Sequence, residues 1–361
     1  MARPTKALLD ISALRHNYRY AQRLSDKGRA IPIIKANAYG HGAVAVASAL
    51  ADLAPAFGVA CIEEALELRN AGINQPILLL EGAFTADEVM TASEQNFWLM
   101  SSCRQQIDAI VAAPLKQELT VWLKADTGMH RLGLAANEFA TCYERLIHCP
   151  FVANDAIVVA THFSSADDLS DNTTELQIAH LLELTQDLNV ELSMANSPAL
   201  LAWPEARGQW NRPGFMLYGN SPLMTEHDAV LPLKPVMTLR SAIIALREVD
   251  RGESVGYGRT WVAPKRSKIA TVAIGYGDGY PRHAISGTPV WIKDQRAELV
   301  GRVSMDMLSI DVSHIENVAI GDEVELWGTN ICVNEVASYA GTIGYELLAR
   351  MPMRTPRIVV D

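Results

Sequence analysis

Residues 30–72 read AIPIIK ANAYGHGAVAVASALADLAPA FGVAC IEEALELRNAG, and the rhythm of this stretch decides the fold. The runs 30–35 and 57–61 are short and nearly continuously apolar, whereas the segments after them carry apolar residues at helical spacing, as with Ile62, Ala65 and Leu66 at i, i+3 and i+4. Working outward, the same alternation recurs at 76–80, 97–101, 119–125, 156–162, 190–195 and 210–218, which makes eight candidate strands. Strands apolar on both faces belong in a parallel sheet covered by helices. Ile178, Leu181, Leu182, Thr185 and Leu188 form one helical stripe, and Leu14, Tyr18, Ala21 and Leu24 form another ahead of the first strand. Asn172 followed by Glu175 reads as a capping box. Eight strands alternating with helices predict an α/β fold with a TIM-like (β/α)8 barrel.

Beyond Leu231 the pattern changes. Pro232 and Pro235 punctuate the chain, and β-rich stretches follow at 268–274, 288–292, 308–312 and 323–327, divided by turns such as Arg251-Gly252-Glu253. The expected division is a barrel over 1–231 and a mostly β domain over 232–361.

Composition narrows the function. The 361-residue chain is 49% hydrophobic and 20% charged, enough apolar content to bury a large core. A net charge of −10 argues against nucleic acid as a partner, because phosphate backbones require a basic face. No run approaches the roughly 18 apolar residues of a membrane span, and Met-Ala-Arg-Pro-Thr-Lys lacks a signal-peptide core, so a cytoplasmic protein without membrane partners is expected. The five cysteines are scattered without a C-x-x-C pair and read as reduced core residues. The nine histidines never fall four apart, so no metal site is expected.

Barrel enzymes carry their reactive groups at the carboxyl ends of the strands. Those ends hold Lys35, Lys124 with Arg131 shortly after it, His162, the pair Asn196 and Ser197, and Arg212. A lysine closing a buried strand either reaches water, pairs with an anion, or serves as an amine whose proton affinity burial has lowered, which suits Schiff-base chemistry. Spacing alone leaves those readings open for Lys35. In the same way His162 fits a satisfied core histidine, Ser197 a helix N-cap, and Tyr257 a tyrosine in a glycine-flanked turn.

The motifs are more specific. IKANAYGHG at 34–42, KADTGMHRLG at 124–133, THF at 161–163, ANS at 195–197, RPG at 212–214, GYG at 256–258, IGYGDG at 274–279 and SMD at 304–306 resemble, in order and end to end, those of the alanine racemase family of fold-type III pyridoxal 5′-phosphate (PLP) enzymes. The resemblance implies PLP attached to Lys35, which also acts as the base for the D-enantiomer. It implies Tyr257, supplied by a neighbouring subunit, as the base for the L-enantiomer. Arg212 would contact the pyridine nitrogen; as a guanidinium that keeps its proton, it makes a weaker electron sink than a carboxylate partner and disfavours transamination. His162 would stack beneath the ring and orient Arg212. Tyr39, Asn196, Ser197, the backbone at Gly214 and Phe215, and Tyr345 would complete the cofactor contacts.

Arg131 would reach the PLP phenolic oxygen and the substrate carboxylate, joined across the interface by Met305 and Asp306. Lys124 matches a lysine that is carbamylated in many members, an anion able to pair with Arg131. Tyr276, Arg282, Arg302, Asp167 and Ile343 resemble the entrance lining that restricts substrates to small amino acids. The implied assembly is a head-to-tail homodimer with shared sites, and the implied role is D-alanine supply for peptidoglycan. A racemase of broader specificity, a related barrel decarboxylase and a single-barrel PLP-binding protein are the rival readings. Tyr257 and residues 232–361 argue against the last two.

Overall fold

The computed structural model describes residues 3–153 and 157–360. Six parallel strands run in chain order: Phe57–Val59, Ile77–Leu79, Phe97–Ser101, Val121–Lys124, Val158–Ala160 and Glu191–Ser193. Arg29–Ala30 pairs in parallel with Trp210–Asn211. Backbone bonds join the two groups: Ile34 N–H donates to the Gly58 carbonyl at 2.8 Å, and Arg212 N–H donates to the Ala195 carbonyl at 2.9 Å. The eight strands therefore close into the expected barrel.

Alternation along the strands explains why the runs read as continuously apolar. Ile31, Ile33, Leu78, Met100, Trp122, Val158, Ala160 and Trp210 form one buried cluster, while their neighbours Phe57, Ile77, Leu79, Leu99, Val121, Leu123 and Val159 belong to a second that includes the helices. The first cluster fills the barrel interior, with Trp98 and Trp210 ring centroids 5.4 Å apart. Arg29 lies over the Trp210 ring at 3.8 Å.

The run 210–218 is only partly strand: after Asn211 it turns into a short helix, Phe215–Tyr218. Pro213 lacks the N–H that pairing would need, and Gly214 departs from extended geometry. In the run 156–162 the strand is Val158–Ala160; Ala156 lies outside the described residues. The capping box at Asn172 and Glu175 does not form: the Asn172 side chain makes no cap bond, and at this helix start Asp171 accepts the Thr173 N–H at 2.7 Å. Of the five cysteines only Cys142 and Cys149 are buried, and Cys332 is exposed.

The second sheet is built around the 13-residue strand Met237–Val249, which pairs antiparallel with Glu323–Trp327, Ser267–Val272 and Lys6–Asp10. Gln295–Leu299, Pro289–Ile292, Leu308–Asp311 and Arg357–Val360 complete it. Lys6–Asp10 precedes the barrel in sequence yet lies in this sheet, between Met237–Val249 and Arg357–Val360. Helices Val333–Tyr339 and Gly344–Ala349 come from this half of the chain, and the second of them returns to the barrel mouth. No helix among the described residues is long and apolar enough to cross a membrane.

Candidate active site

The first barrel strand leads into an unusual piece of backbone. Ala36, Asn37, Ala38 and Tyr39 all have φ between 50° and 54°, one left-handed helical turn made without glycine. Such geometry costs on the order of 1–2 kcal/mol per residue and persists only where surrounding bonds impose it. Asn37 Oδ1 accepts the Ala43 N–H at 2.7 Å, and the Gly42 N–H donates to the Asn37 carbonyl at 2.9 Å. Arg357 donates to the Gly40 carbonyl from Nε and Nη2, both at 2.9 Å. Gly40 is required twice over: its φ is +76°, and a Cβ there would run into the Leu348 carbonyl of helix Gly344–Ala349. The turn thus presents Lys35 and Tyr39 to the same cavity.

That cavity, about 670 Å³, is lined by Lys35, Tyr39, Lys124, Arg131, His162, Asn196, Ser197, Arg212, Gly214, Phe215, Ile343 and Tyr345. Twelve residues singled out from sequence therefore converge on one site at the carboxyl ends of the strands. Asp167 lines an adjoining hollow that shares His162, Asn196, Ile343 and Tyr345.

Arg212 is buried and tightly held. Nη1 donates to the Ser193 carbonyl at 2.8 Å and to the Ser193 hydroxyl; Nη2 donates to the Thr161 carbonyl at 2.6 Å and the Met194 carbonyl at 3.2 Å. Among the described residues Nε makes no bond, so the guanidinium keeps a donor for the cavity that it lines. Burial lowers its proton affinity to about 10, which leaves it charged at neutral pH. Ser197 Oγ accepts the N–H groups of Gly214 at 2.8 Å and Met216 at 3.3 Å, and its own proton remains to be donated. A Cβ on Gly214 would lie 2.7 Å from Tyr39 Oη, so only glycine lets the phenol stand there. Phe215 and Tyr345 stack with centroids 3.7 Å apart.

Electrostatics in the cavity are dominated by cations. Burial pushes the Lys35 amine below its ordinary range, and Arg131 pushes it further, against the opposing pull of Glu81 and Glu64. Lys124 is held down to about 8 by burial, then by Arg212, Arg131 and Lys35. His162 is kept well below its usual range by burial and by the same four cations, so it is a neutral ring. Tyr39 is pushed up to about 12 by burial and stays a phenol donor. A neutralisable amine, a fixed guanidinium donor and hydroxyls around a glycine gap, all in positive potential, fit an aldehyde that also carries a phosphate.

Tyr257, Tyr276, Arg282, Arg302, Met305 and Asp306 do not line this cavity. They stand exposed or half-exposed on the β half of the chain, with Tyr257 72% and Met305 52% accessible. Several are neighbours. The Tyr276 N–H donates to the Ser304 carbonyl at 3.0 Å, the Gly277 N–H to the Met305 carbonyl at 2.8 Å, and the Gly256 to Gly258 turn lies against Arg302. Asp306 is held by Arg354 and, through its carbonyl, by Arg3 at 2.8 Å.

Residues 9–222 match the family described as alanine racemase, N-terminal domain, and residues 236–359 match alanine racemase, C-terminal domain. The chain belongs to the alanine racemase family. The alanine racemase of Chromohalobacter salexigens is 50% identical over 357 residues, covering 99% of this chain and 98% of that one. The catabolic alanine racemase of Pseudomonas putida is 48% identical, covering 98% of each. Among solved structures, the biosynthetic alanine racemase of Pseudomonas aeruginosa superposes with a TM-score of 0.96 at 46% identity over the whole of both chains. That of Acinetobacter baumannii superposes at 0.91 with 40% identity, covering 99% of this chain and all of that one. As a member of the alanine racemase family the chain is an isomerase acting on a small amino acid, and the family is PLP-dependent.

Sequence reading assigned no role to Glu64, Glu81 or Arg357. Arg357 is 317 residues from the carbonyl that it holds, and no local pattern could signal that. Glu64 sits where an acid ordinarily caps a helix, which hid its second contact.

Proposed function

We propose that this racemase interconverts L- and D-alanine with two bases from separate subunits, Lys35 of one and Tyr257 of the partner subunit, in a head-to-tail homodimer. The observation that carries the reading is an incomplete site. One chain gathers every expected cofactor contact and Arg131 into one cavity, while the expected second base Tyr257 and the substrate contacts Met305 and Asp306 stand elsewhere on the same chain. An isologous dimer in which each barrel mouth faces the other chain's β domain makes both whole; the β domain is then residues 232–361 joined by the strand Lys6–Asp10, which the expected division had put in the barrel.

Held on Lys35, PLP supplies the electron sink that acidifies the α-hydrogen of an attached amino acid. The Lys35 amine, whose proton affinity burial lowers, would hold the cofactor and, when free, would hold or return the proton on one face. Tyr257 of the partner subunit holds it on the other. Arg212 donates from Nε and keeps its own proton; the neutral His162 ring packs beside it without adding charge. Tyr39, Ser197, the backbone at Gly214 and Phe215, Asn196 and Tyr345 hold the cofactor. Arg131, with Met305 and Asp306 of the partner subunit, orients the substrate carboxylate. Tyr276, Arg282 and Arg302 join Asp167 and Ile343 to narrow the entrance.

The biological reading is D-alanine supply for peptidoglycan in the cytoplasm. With PLP added, the optical rotation of an L-alanine solution is expected to decay to zero, and larger amino acids to turn over more slowly. Persistent rotation in a protein that binds PLP would contradict it.

Lys124 is the cavity lysine that modification would change most. Its amine, titrating at about 8, is partly neutral near physiological pH and can add CO2, releasing a proton. The resulting carbamate faces Arg131 and Arg212 and removes one cation from a crowded positive site. Mass spectrometry under mild conditions is expected to show one CO2 added at Lys124; a bare amine would contradict the carbamate. Without CO2 the sign of the pH effect follows from the lowered value. Between about 8 and 10.5 the unfolded chain binds more protons, so stability rises with pH across that window. Lys124→Met is expected to flatten the slope.

A further inference from the structure

We propose that Glu64 is a positioning residue for Lys35: its carboxylate ties the left-handed turn 36–39 to the start of helix Ile62–Asn70, and so fixes the amine relative to the Tyr39 phenol. The two oxygens do different work. Oε2 accepts the Ala60 N–H at 2.8 Å, a contact typical of an acid in a first helical turn. Oε1 accepts the Ala36 N–H at 2.6 Å, across 28 residues of sequence.

Ala36 is the first left-handed residue and the immediate neighbour of Lys35. The other side-chain restraints act further along: Asn37 on Ala43, His41 on the carbonyls of Ala38 and Tyr39, and Arg357 on Gly40. At the lysine end, among the described residues, Glu64 is the only side chain bonded to the turn. Four non-glycine residues at positive φ revert toward ordinary geometry once such an anchor is lost. Reversion at Ala36 rotates the peptide that follows Lys35 and separates the amine from the phenol. Glu64 also places a negative charge near the amine that the cavity's cations and burial otherwise disfavour.

The proposal rests on PLP being held by Lys35, and its test separates the two. Unloaded parent, Glu64→Gln, Ala36→Gly and the double variant are titrated with PLP by absorbance, reduced with borohydride, and mapped for cofactor fixed on Lys35. Melting of each unloaded protein is recorded alongside. Glu64→Gln is expected to melt close to the parent but to need about ten- to hundredfold more PLP, with a smaller share fixed on Lys35 at saturation. Glycine adopts the Ala36 conformation without steric cost, so Ala36→Gly added to Glu64→Gln is expected to restore part of both.

Parent-like titration and fixation by Glu64→Gln would overturn the proposal, as would a loss that Ala36→Gly leaves untouched, which places the effect at Ala60. Should Glu64→Gln not fold alone, comparison of Ala36→Gly with the double variant decides: a further tenfold loss in the double variant shows the effect lies outside the turn and overturns the proposal, and a smaller one supports it. A parent that fixes no PLP on Lys35 would instead overturn the functional reading, and this proposal with it.

Discussion

Lys35→Ala is expected to abolish the absorbance of lysine-bound PLP and to lower racemisation by at least about 10³-fold, because it removes the attachment point and one base together. PLP should still bind, though weakly, since Arg212, Tyr39 and Ser197 remain. The informative control lies in the same cavity. Lys124 also has an amine of lowered proton affinity, so borohydride reduction of the parent followed by peptide mapping must find the cofactor on Lys35. Cofactor fixed on Lys124 would transfer the nucleophile's role and overturn the assignment.

Tyr257→Phe is expected to do something different in kind. The lysine-bound absorbance should be unchanged, because Lys35 and the expected cofactor contacts Tyr39, Ser197 and Arg212 are left in place. Exchange of the α-proton should fall by about 10²–10⁴-fold from L-alanine and by clearly less from D-alanine, whose proton faces Lys35. Deuterium incorporation from each enantiomer, measured separately, reads this directly. Equal losses from both would contradict the assignment of one base to each face.

The barrel was legible because its strands are buried on both faces, which leaves an apolar signature that helical segments interrupt at regular intervals. Where polar residues interrupt the runs, the strands prove shorter: 119–125 contracts to Val121–Lys124. The strand Lys6–Asp10 gave little warning, since KALLD neither alternates cleanly nor sits near its partners in sequence. Lys35, Lys124, His162, Asn196, Ser197 and Arg212 could be found because strand ends are where barrels place chemistry. The left-handed turn could not, because Ala36, Ala38 and Tyr39 have no local preference for it, and the side chains of Glu64 and Arg357 that bond at its two ends lie far away in sequence. The glycines at 40 and 42, both at positive φ in the structure, were the trace in the sequence.

The central claim is that each site takes its amine and its phenol from different chains. Co-expressing Lys35→Ala with Tyr257→Phe tests it directly, because neither homodimer has a complete site. In a mixed dimer one site receives the intact Lys35 of one subunit and the intact Tyr257 of the other. Random pairing is expected to restore about a quarter of parental activity, from two nearly inactive variants. Activity no greater than the sum of the two separate variants, in a preparation shown to contain mixed dimers, would contradict the shared site.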